Sequence, residues 1–147
     1  FYNIWAPAIT QTKERANIFK SEPWIHEVLD IAEKANINLI SIGELSRSAS
    51  LFQMGYLLEE DLNRLSEKGA VGDILCRFFD SEGTIVEDEI HDRVVGIPLD
   101  VLCDEKKICI GIAGGASKRR AIAAAIKKKY INVIITDDNT AKELLSI

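Results

Sequence analysis

Apolar residues recur along this chain with two different rhythms. Over residues 23–35, Trp24, Val28, Ile31 and Ala32, with Ile25, Leu29 and Ala35 alongside, fall at helical spacing and give a wide apolar face. Ser21 and Pro23 suit the start of that helix, and residues 10–20 read as another helix before it. Residues 58–68 predict a third, because Leu58, Leu62 and Leu65 align and Lys68-Gly69 supplies a stop. Between these lies the short run Ile37-Asn38-Leu39-Ile40-Ser41-Ile42, which reads as a strand ended by Gly43.

The middle of the chain changes character. Residues 74–79 and 84–86 flank Asp80-Ser81-Glu82-Gly83, a turn signal that suggests a β-hairpin. Residues 93–97 look extended, and Pro98 then opens a short helix with Leu99 and Leu102 apolar.

The clearest signal comes last. Lys107-Ile108-Cys109-Ile110-Gly111-Ile112-Ala113 is a continuous apolar run, the pattern of a strand covered on both faces. Gly114-Gly115 break it, residues 118–129 form an Ala- and Lys-rich helix, and Val133-Ile134-Ile135-Thr136 is a second buried strand. A terminal helix follows over 140–146. Strand, helix and strand in so short a span make a βαβ unit, so residues 107–113 and 133–136 should be adjacent parallel strands with a right-handed crossover. The expected fold is α/β: a Rossmann-like parallel sheet with an inserted β-hairpin, in one domain over residues 1–147.

Composition narrows the function. The 147 residues are 47% hydrophobic and 28% charged, which is globular and not disordered. No apolar run is long enough to span a bilayer and no signal-peptide pattern opens the chain, so no membrane partner is expected. The first residue is Phe1 rather than Met, as expected of a piece of something longer. The net charge is −5, and the basic residues are scattered apart from Lys118-Arg119-Arg120 and Lys127-Lys128-Lys129. A domain that holds DNA by itself carries a basic face, which is missing here. Cys76, Cys103 and Cys109 sit in apolar stretches without ligand spacing and read as buried thiols of a reducing, cytoplasmic compartment. His26 and His91 lie far apart, and the chain offers no spacing for a metal or cofactor.

In open parallel sheets ligands bind beyond the carboxyl ends of the strands. Three loops leave strands in that direction: Gly43-Glu44, Ala113 to Lys118, and Thr136-Asp137-Asp138. In the second, Gly114 and Gly115 let the backbone approach a bound group, while Ser117 can cap the following helix or donate to an oxyanion. Lys118 then puts a cation in the first helical turn, which costs about 0.3–1 kcal/mol against the helix dipole unless an anion compensates. A tight turn with Lys118 facing solvent is the competing reading. Gly72 and Asp73 form the second candidate, a carboxylate at a loop-to-strand junction suited to sugar hydroxyls, or simply closing its own turn. Asp137 or Asp138 is expected to cap the terminal helix. Arg77, Asp80 and Arg93 read as a solvated rim, and Lys127 to Lys129 suit a helix C-terminus.

Taken together, Gly69-Ala70-Val71-Gly72-Asp73-Ile74-Leu75-Cys76-Arg77-Phe78-Phe79-Asp80-Ser81-Glu82-Gly83, Gly111-Ile112-Ala113-Gly114-Gly115-Ala116-Ser117-Lys118 and Ile134-Ile135-Thr136-Asp137-Asp138 resemble the effector domain of SorC-type transcriptional regulators. The order and spacing fit from Pro7 to Leu145. The resemblance implies a fold similar to glucosamine-6-phosphate deaminase and ribose-5-phosphate isomerase, used for sensing and not for turnover. It implies a phosphorylated sugar or related small anion as effector, with Lys118 at the phosphate or nearby oxygens, Asp73 at the hydroxyls, and Gly72, Gly114, Gly115 and Ser117 lining the site. Operator DNA would be met only through an N-terminal helix-turn-helix that this chain lacks, along with the first part of the effector domain. Such a regulator is expected to be a homodimer or homotetramer, with Phe1, Tyr2, Ile4 and Trp5 buried against the missing segment or a partner chain. A sugar-phosphate isomerase or deaminase on the same fold is the rival reading, but no cluster of His, Glu and Asp offers a poised base.

Overall fold

The computed structural model describes residues 1–146. Two small sheets share one core. The first holds β1 (Ile37–Ser41), β5 (Ile108–Ile112) and β6 (Val133–Ile135) in the order β1-β5-β6. All pairings in it are parallel, with Ile37 opposite Ile108 and Ile110 opposite Val133. The helix α5 (Arg119–Lys127) makes the crossover from β5 to β6, so the βαβ unit legible in the sequence is present. Ala121, Ile122, Ala124 and Ala125 of α5 pack with Ile40, Cys109 and Ile131 in the main core cluster. Their small volume lets the helix lie close to the strands.

The continuous apolar run at 107–113 is not covered on both faces. Ile108, Ile112, Val133 and Ile135 are about half exposed, and Ile37 and Leu39 about two-thirds. These side chains all lie on the sheet face opposite α5. The alternation inherent in a strand puts every second residue there, and no described helix covers it.

The second sheet is the insert. β2 (Gly43–Glu44), β3 (Gly72–Ile74) and β4 (Arg77–Phe79) pair antiparallel in that order. Here the sequence reading needs correction. The β3–β4 hairpin turns at Leu75-Cys76, which the sequence reading missed, and a shorter antiparallel pairing closes over residues 80–83. Leu75 and Cys76 carry positive φ, 51° and 61°, which suits the right-handed twist of a two-residue hairpin but is unusual without glycine. The 80–83 segment turns as read, with the Gly83 N–H donating to the Asp80 carbonyl at 2.9 Å, the Asp80 N–H to the Thr84 carbonyl at 2.9 Å and the Val86 N–H to the Phe78 carbonyl at 3.0 Å, though the pairing goes no further than the single Phe79–Ile85 bridge. Extended residues 94–97 likewise make a single bridge, Val94 to Ile9, while Arg93 ends a 3-10 turn over Glu89–Arg93.

The remaining helices are α1 (Lys13–Ser21), α2 (Pro23–Glu33), α3 (Ser50–Gln53), α4 (Glu59–Glu67) and α6 (Asp138–Leu144). Thr12 caps α1, accepting from the Arg15 N–H, and Thr10 ties the chain to Arg93. In α4, Asp61 reaches back to the Leu58 N–H at 2.9 Å. Arg64 bridges Asp61 and the buried side chain of Asp88, which fixes the helix to the loop beneath it. Among the described residues no helix is long and apolar enough to cross a membrane.

Candidate functional site

The carboxyl end of β1 runs straight into β2, and β2 pairs with β3. That connection sets Gly43 opposite Asp73 and Glu44 opposite Gly72. A cavity of about 400 Å³ opens there. Its floor is β1 and β2, one wall is the Leu75-Cys76 turn with Asp73, another is the Ser48–Leu51 stretch at the start of α3, and Lys118 closes the end.

Asp73 is only 9% exposed. The Cys76 N–H donates to its Oδ2 at 3.1 Å, so the carboxylate helps hold its own hairpin turn. Burial pushes its pKa up to about 6, against the opposing pull of the Cys76 N–H and the Lys118 charge. Oδ1 is pressed against residue 43, where any Cβ would stand 1.9 Å away. Burial also pushes the neighbouring Cys76 thiol up to about 12, which makes it a packing group and not a nucleophile.

Lys118 is half-buried. It ends a 3-10 turn, Ala116–Lys118, and stands at the N-cap of α5 without any side-chain cap. Among the described residues its ammonium forms no salt bridge, although its charge acts on both Asp73 and Glu44. A cation at a helix N-terminus that forms no salt bridge can still take a further anion.

The structure brings together only part of the residue set read from the sequence. Asp73 and Lys118 line the same cavity. Gly72 lies beneath it: a Cβ there would meet the Gly43 carbonyl at 2.3 Å and the Ala121 Cβ at 2.4 Å. Gly72 thus lets β2, β3 and α5 converge, which sets the strand that carries Asp73. Gly114 and Gly115 wrap a different carboxylate, that of Asp137. The Gly115 N–H donates to Asp137 Oδ2 at 2.8 Å, and a Cβ on Gly114 would lie 2.4 Å from the same atom. Gly115 also needs its φ of 97°. Asp137 caps α6 through the Thr140 N–H, and the Thr140 hydroxyl and N–H with the Gly115 N–H hold its carboxyl down to about 2. Ser117 is exposed, beside Glu44 at the rim. Arg77, Asp80 and Arg93 are engaged with the His91 carbonyl, their own turn and the Thr10 carbonyl.

Glu44 belongs to one of the three loops read from the sequence but was given no role there. Its Oε1 accepts from the Ser46 and Ser48 hydroxyls, each at 2.9 Å, while Oε2 is buried with no hydrogen-bond partner. The Ser117 hydroxyl, the strongest influence, with those of Ser46 and Ser48 and the Lys118 charge, keeps the carboxyl below its ordinary range despite partial burial. The available signal was its position directly after Gly43 at a strand end, followed by three serines within six residues. A separate cavity of about 380 Å³ along β1 is walled almost wholly by aliphatic groups, including Ile37, Leu39, Leu29 and Val95, and holds no charged group.

The family model described as "Putative sugar-binding domain" matches residues 1–146. The chain is 36% identical over 141 residues to the deoxyribonucleoside regulator of Bacillus subtilis (strain 168), covering 95% of this chain and 44% of that protein. It is 38% identical over 145 residues to the transcriptional regulator LsrR of Escherichia coli (strain SMS-3-5 / SECEC), covering 97% and 45%. Among solved structures, a DeoR family transcriptional regulator from Listeria monocytogenes superposes with a TM-score of 0.89 at 28% identity, covering 96% of this chain and 57% of that one. The full-length sorbitol operon regulator SorC from Klebsiella pneumoniae gives 0.84 at 25%, covering 95% and 45%. The chain belongs to this sugar-binding domain family, whose similar members here are transcriptional regulators of the SorC and DeoR type. It spans a little under half the length of the curated relatives it matches.

Proposed function

We propose that this chain is the effector-binding part of a cytoplasmic transcriptional regulator and takes a phosphorylated sugar in the cavity between β1, β3 and the start of α5. The single observation that carries the reading is that Asp73 and Lys118 line one cavity beyond the carboxyl end of a parallel strand, where α/β sheets bind ligands. Lys118 meets the anionic end of the ligand and Asp73 accepts from its hydroxyls. Gly72 supports the site by setting the hairpin, and Ser117 stands at its rim. Gly114 and Gly115 act at one remove, by fixing the loop that presents Lys118.

Ligand binding modulates operator binding by a helix-turn-helix carried elsewhere in the intact protein, which works as a homodimer or homotetramer. The domain senses and does not turn its ligand over. The named relatives are regulators and not sugar-phosphate isomerases or deaminases, and the cavity holds no histidine. Calorimetric titration of the intact protein with pentose and hexose monophosphates tests the reading, with each mixture assayed for product afterwards. Saturable binding with the sugar recovered unchanged is the expected result. Conversion of the sugar would make it an enzyme, and absence of binding across the panel would remove the effector assignment.

A further inference from the structure

The hairpin that carries Asp73 is held from outside by a histidine. Phe78 lies opposite Asp73 across the β3–β4 pairing. In a pair of this kind the backbone groups point away from the partner strand, and the Phe78 N–H donates outward to Nε2 of His91 at 3.0 Å. The His91 carbonyl accepts in turn from the Arg77 guanidinium at 2.9 Å, so one residue of the 3-10 turn holds β4 twice. The imidazole and the Phe78 ring lie nearly parallel, their centres 6.1 Å apart, and Phe78 is fully buried with Leu65, Ile90 and Val94. On the far side of the hairpin the Cys76 N–H closes onto Asp73 Oδ2. His91 is thus one strand away from Asp73.

Nε2 accepts that bond only in the neutral imidazole, with the ring proton on Nδ1. A protonated ring would turn a second N–H toward the Phe78 N–H, donor against donor. Burial, then the Arg77 charge of β4, hold the imidazole below its ordinary pKa, and Lys68 after α4 adds to them. Asp88 and Asp92 of the ring's own segment favour its charged form. Both are already engaged, however, Asp88 by Arg64 and Lys68, and Asp92 by Lys13 of α1. Lys20, also of α1, adds a further cation that acts on Arg77, and Arg93 is turned to the Thr10 carbonyl. An imidazolium here finds no free counter-ion among these groups.

We propose that His91 is a positioning residue of the effector site: its neutral imidazole latches β4 and, through the Asp73–Phe78 pairing, holds Asp73 in the cavity wall, while protonation frees the hairpin. The latch is complete at neutral pH and is lost as pH falls through the lowered pKa of the ring. Effector binding therefore weakens in acid by a route separate from the titration of Asp73 itself. The connection to binding rests on the effector reading above, and the latch does not.

The test follows hydrogen exchange at the Phe78 and Cys76 amides of the intact protein by mass spectrometry, near pH 7.5 and near pH 5, with rates corrected for the intrinsic pH dependence of exchange. It compares wild type with two variants. In His91→Gln the side-chain oxygen reaches the place of Nε2 and accepts without titrating, whereas His91→Phe keeps a ring and removes the acceptor. Wild type is expected to protect both amides at the higher pH and to lose about 10-fold of that protection at the lower, the worth of one hydrogen bond. His91→Gln should keep the protection at both values and His91→Phe at neither. Asp73 titrates in all three proteins, so the difference between wild type and His91→Gln isolates the imidazole. Protection at Phe78 that His91→Phe retains, or that wild type and His91→Gln lose equally in acid, would overturn the latch. Loss at Phe78 without loss at Cys76 would show that the latch does not reach Asp73, and would overturn the positioning role. If His91→Phe does not fold, wild type against His91→Gln decides alone. Titration of the same proteins with ribose 5-phosphate and glucose 6-phosphate joins the latch to the site. The sugar that wild type binds should bind His91→Gln more tightly than wild type in acid by about threefold or more, roughly half of one hydrogen bond, and equal affinities there would overturn the link to binding. If wild type binds neither sugar while both amides respond, the effector reading fails for these sugars and the latch stands.

Discussion

Gly43 is pressed against the carboxylate of Asp73, so closely that a Cβ on residue 43 would stand 1.9 Å from Oδ1. The contact follows from register, since the two residues face each other across the β2–β3 pairing. It makes a glycine part of the site without any ligand contact of its own. Gly43→Ala must push the carboxylate out of position or open the strand pair. Overpacking of this kind costs about 1–3 kcal/mol, and the same change in an Asp73→Ala background should cost clearly less, because the two sites share one space. Denaturant melts of the two single variants and the double variant measure this coupling. Purely additive losses would mean that the contact is not the cause.

The buried carboxylate of Asp73 is a cost to folding at neutral pH. Burial raises its pKa from the ordinary 3.8 to about 6. The folded state therefore holds its proton more tightly than the unfolded chain. Above about pH 6 the buried charge is a cost, and below about pH 4 both states are protonated and the cost is gone. Stability due to this group thus rises as pH falls from 7 to 4, by something on the order of 2–3 kcal/mol. His91 works the other way in the same window, since burial holds its pKa down, so the comparison must be between variants. Asp73→Asn should be at least as stable as wild type at pH 7 and should lose that advantage toward pH 4, while binding no effector. A wild type that is more stable than Asp73→Asn at pH 7 would contradict the assignment.

The Leu75-Cys76 turn carries two non-glycine residues at positive φ, each strained by roughly 1–2 kcal/mol in that region. Cys76→Gly should relieve its share, and Cys76→Val should worsen it, because a β-branched side chain tolerates this backbone least. The two variants should therefore differ by about 2 kcal/mol or more in chemical denaturation, with glycine the more stable. The reverse order would follow if strand propensity governed the position, and would show that the turn is not strained.

How far the sequence foretold this arrangement depends on which periodicity each segment expresses. The parallel pair 107–113 and 133–136 was legible because two apolar runs flank an alanine-rich helix that can only cross over. Covering of both sheet faces was not, since apolar alternation says which side chains want burial, not what is present to bury them. The turn at Asp80 to Gly83 was legible from its turn chemistry, but the one at Leu75-Cys76 was not, because those look like strand residues and adopt the turn only because Asp73 and the β4 pairing hold them there. Asp73 and Lys118 could be picked out by their places at strand and helix ends. Glu44 was legible only as part of the loop after β1, because its place beside Asp73 depends on a β2–β3 pairing across nearly thirty residues that no local pattern encodes. The glycine pair at 114–115 was read as room for a ligand, and its nearest anion is the chain's own Asp137.

The central claim is that Lys118 meets the anionic end of an effector in the cavity that Asp73 lines. Calorimetric titration of intact wild-type and Lys118→Ala protein with the phosphorylated sugar that wild type binds tests it most directly, with melting curves run beside each. The account expects binding to weaken by about 1.5–3 kcal/mol, the worth of a charge-assisted hydrogen bond, and the melting temperature without ligand to stay nearly unchanged, since this half-buried lysine has no ion-pair partner among the described residues to lose. An affinity unchanged by the substitution would contradict it.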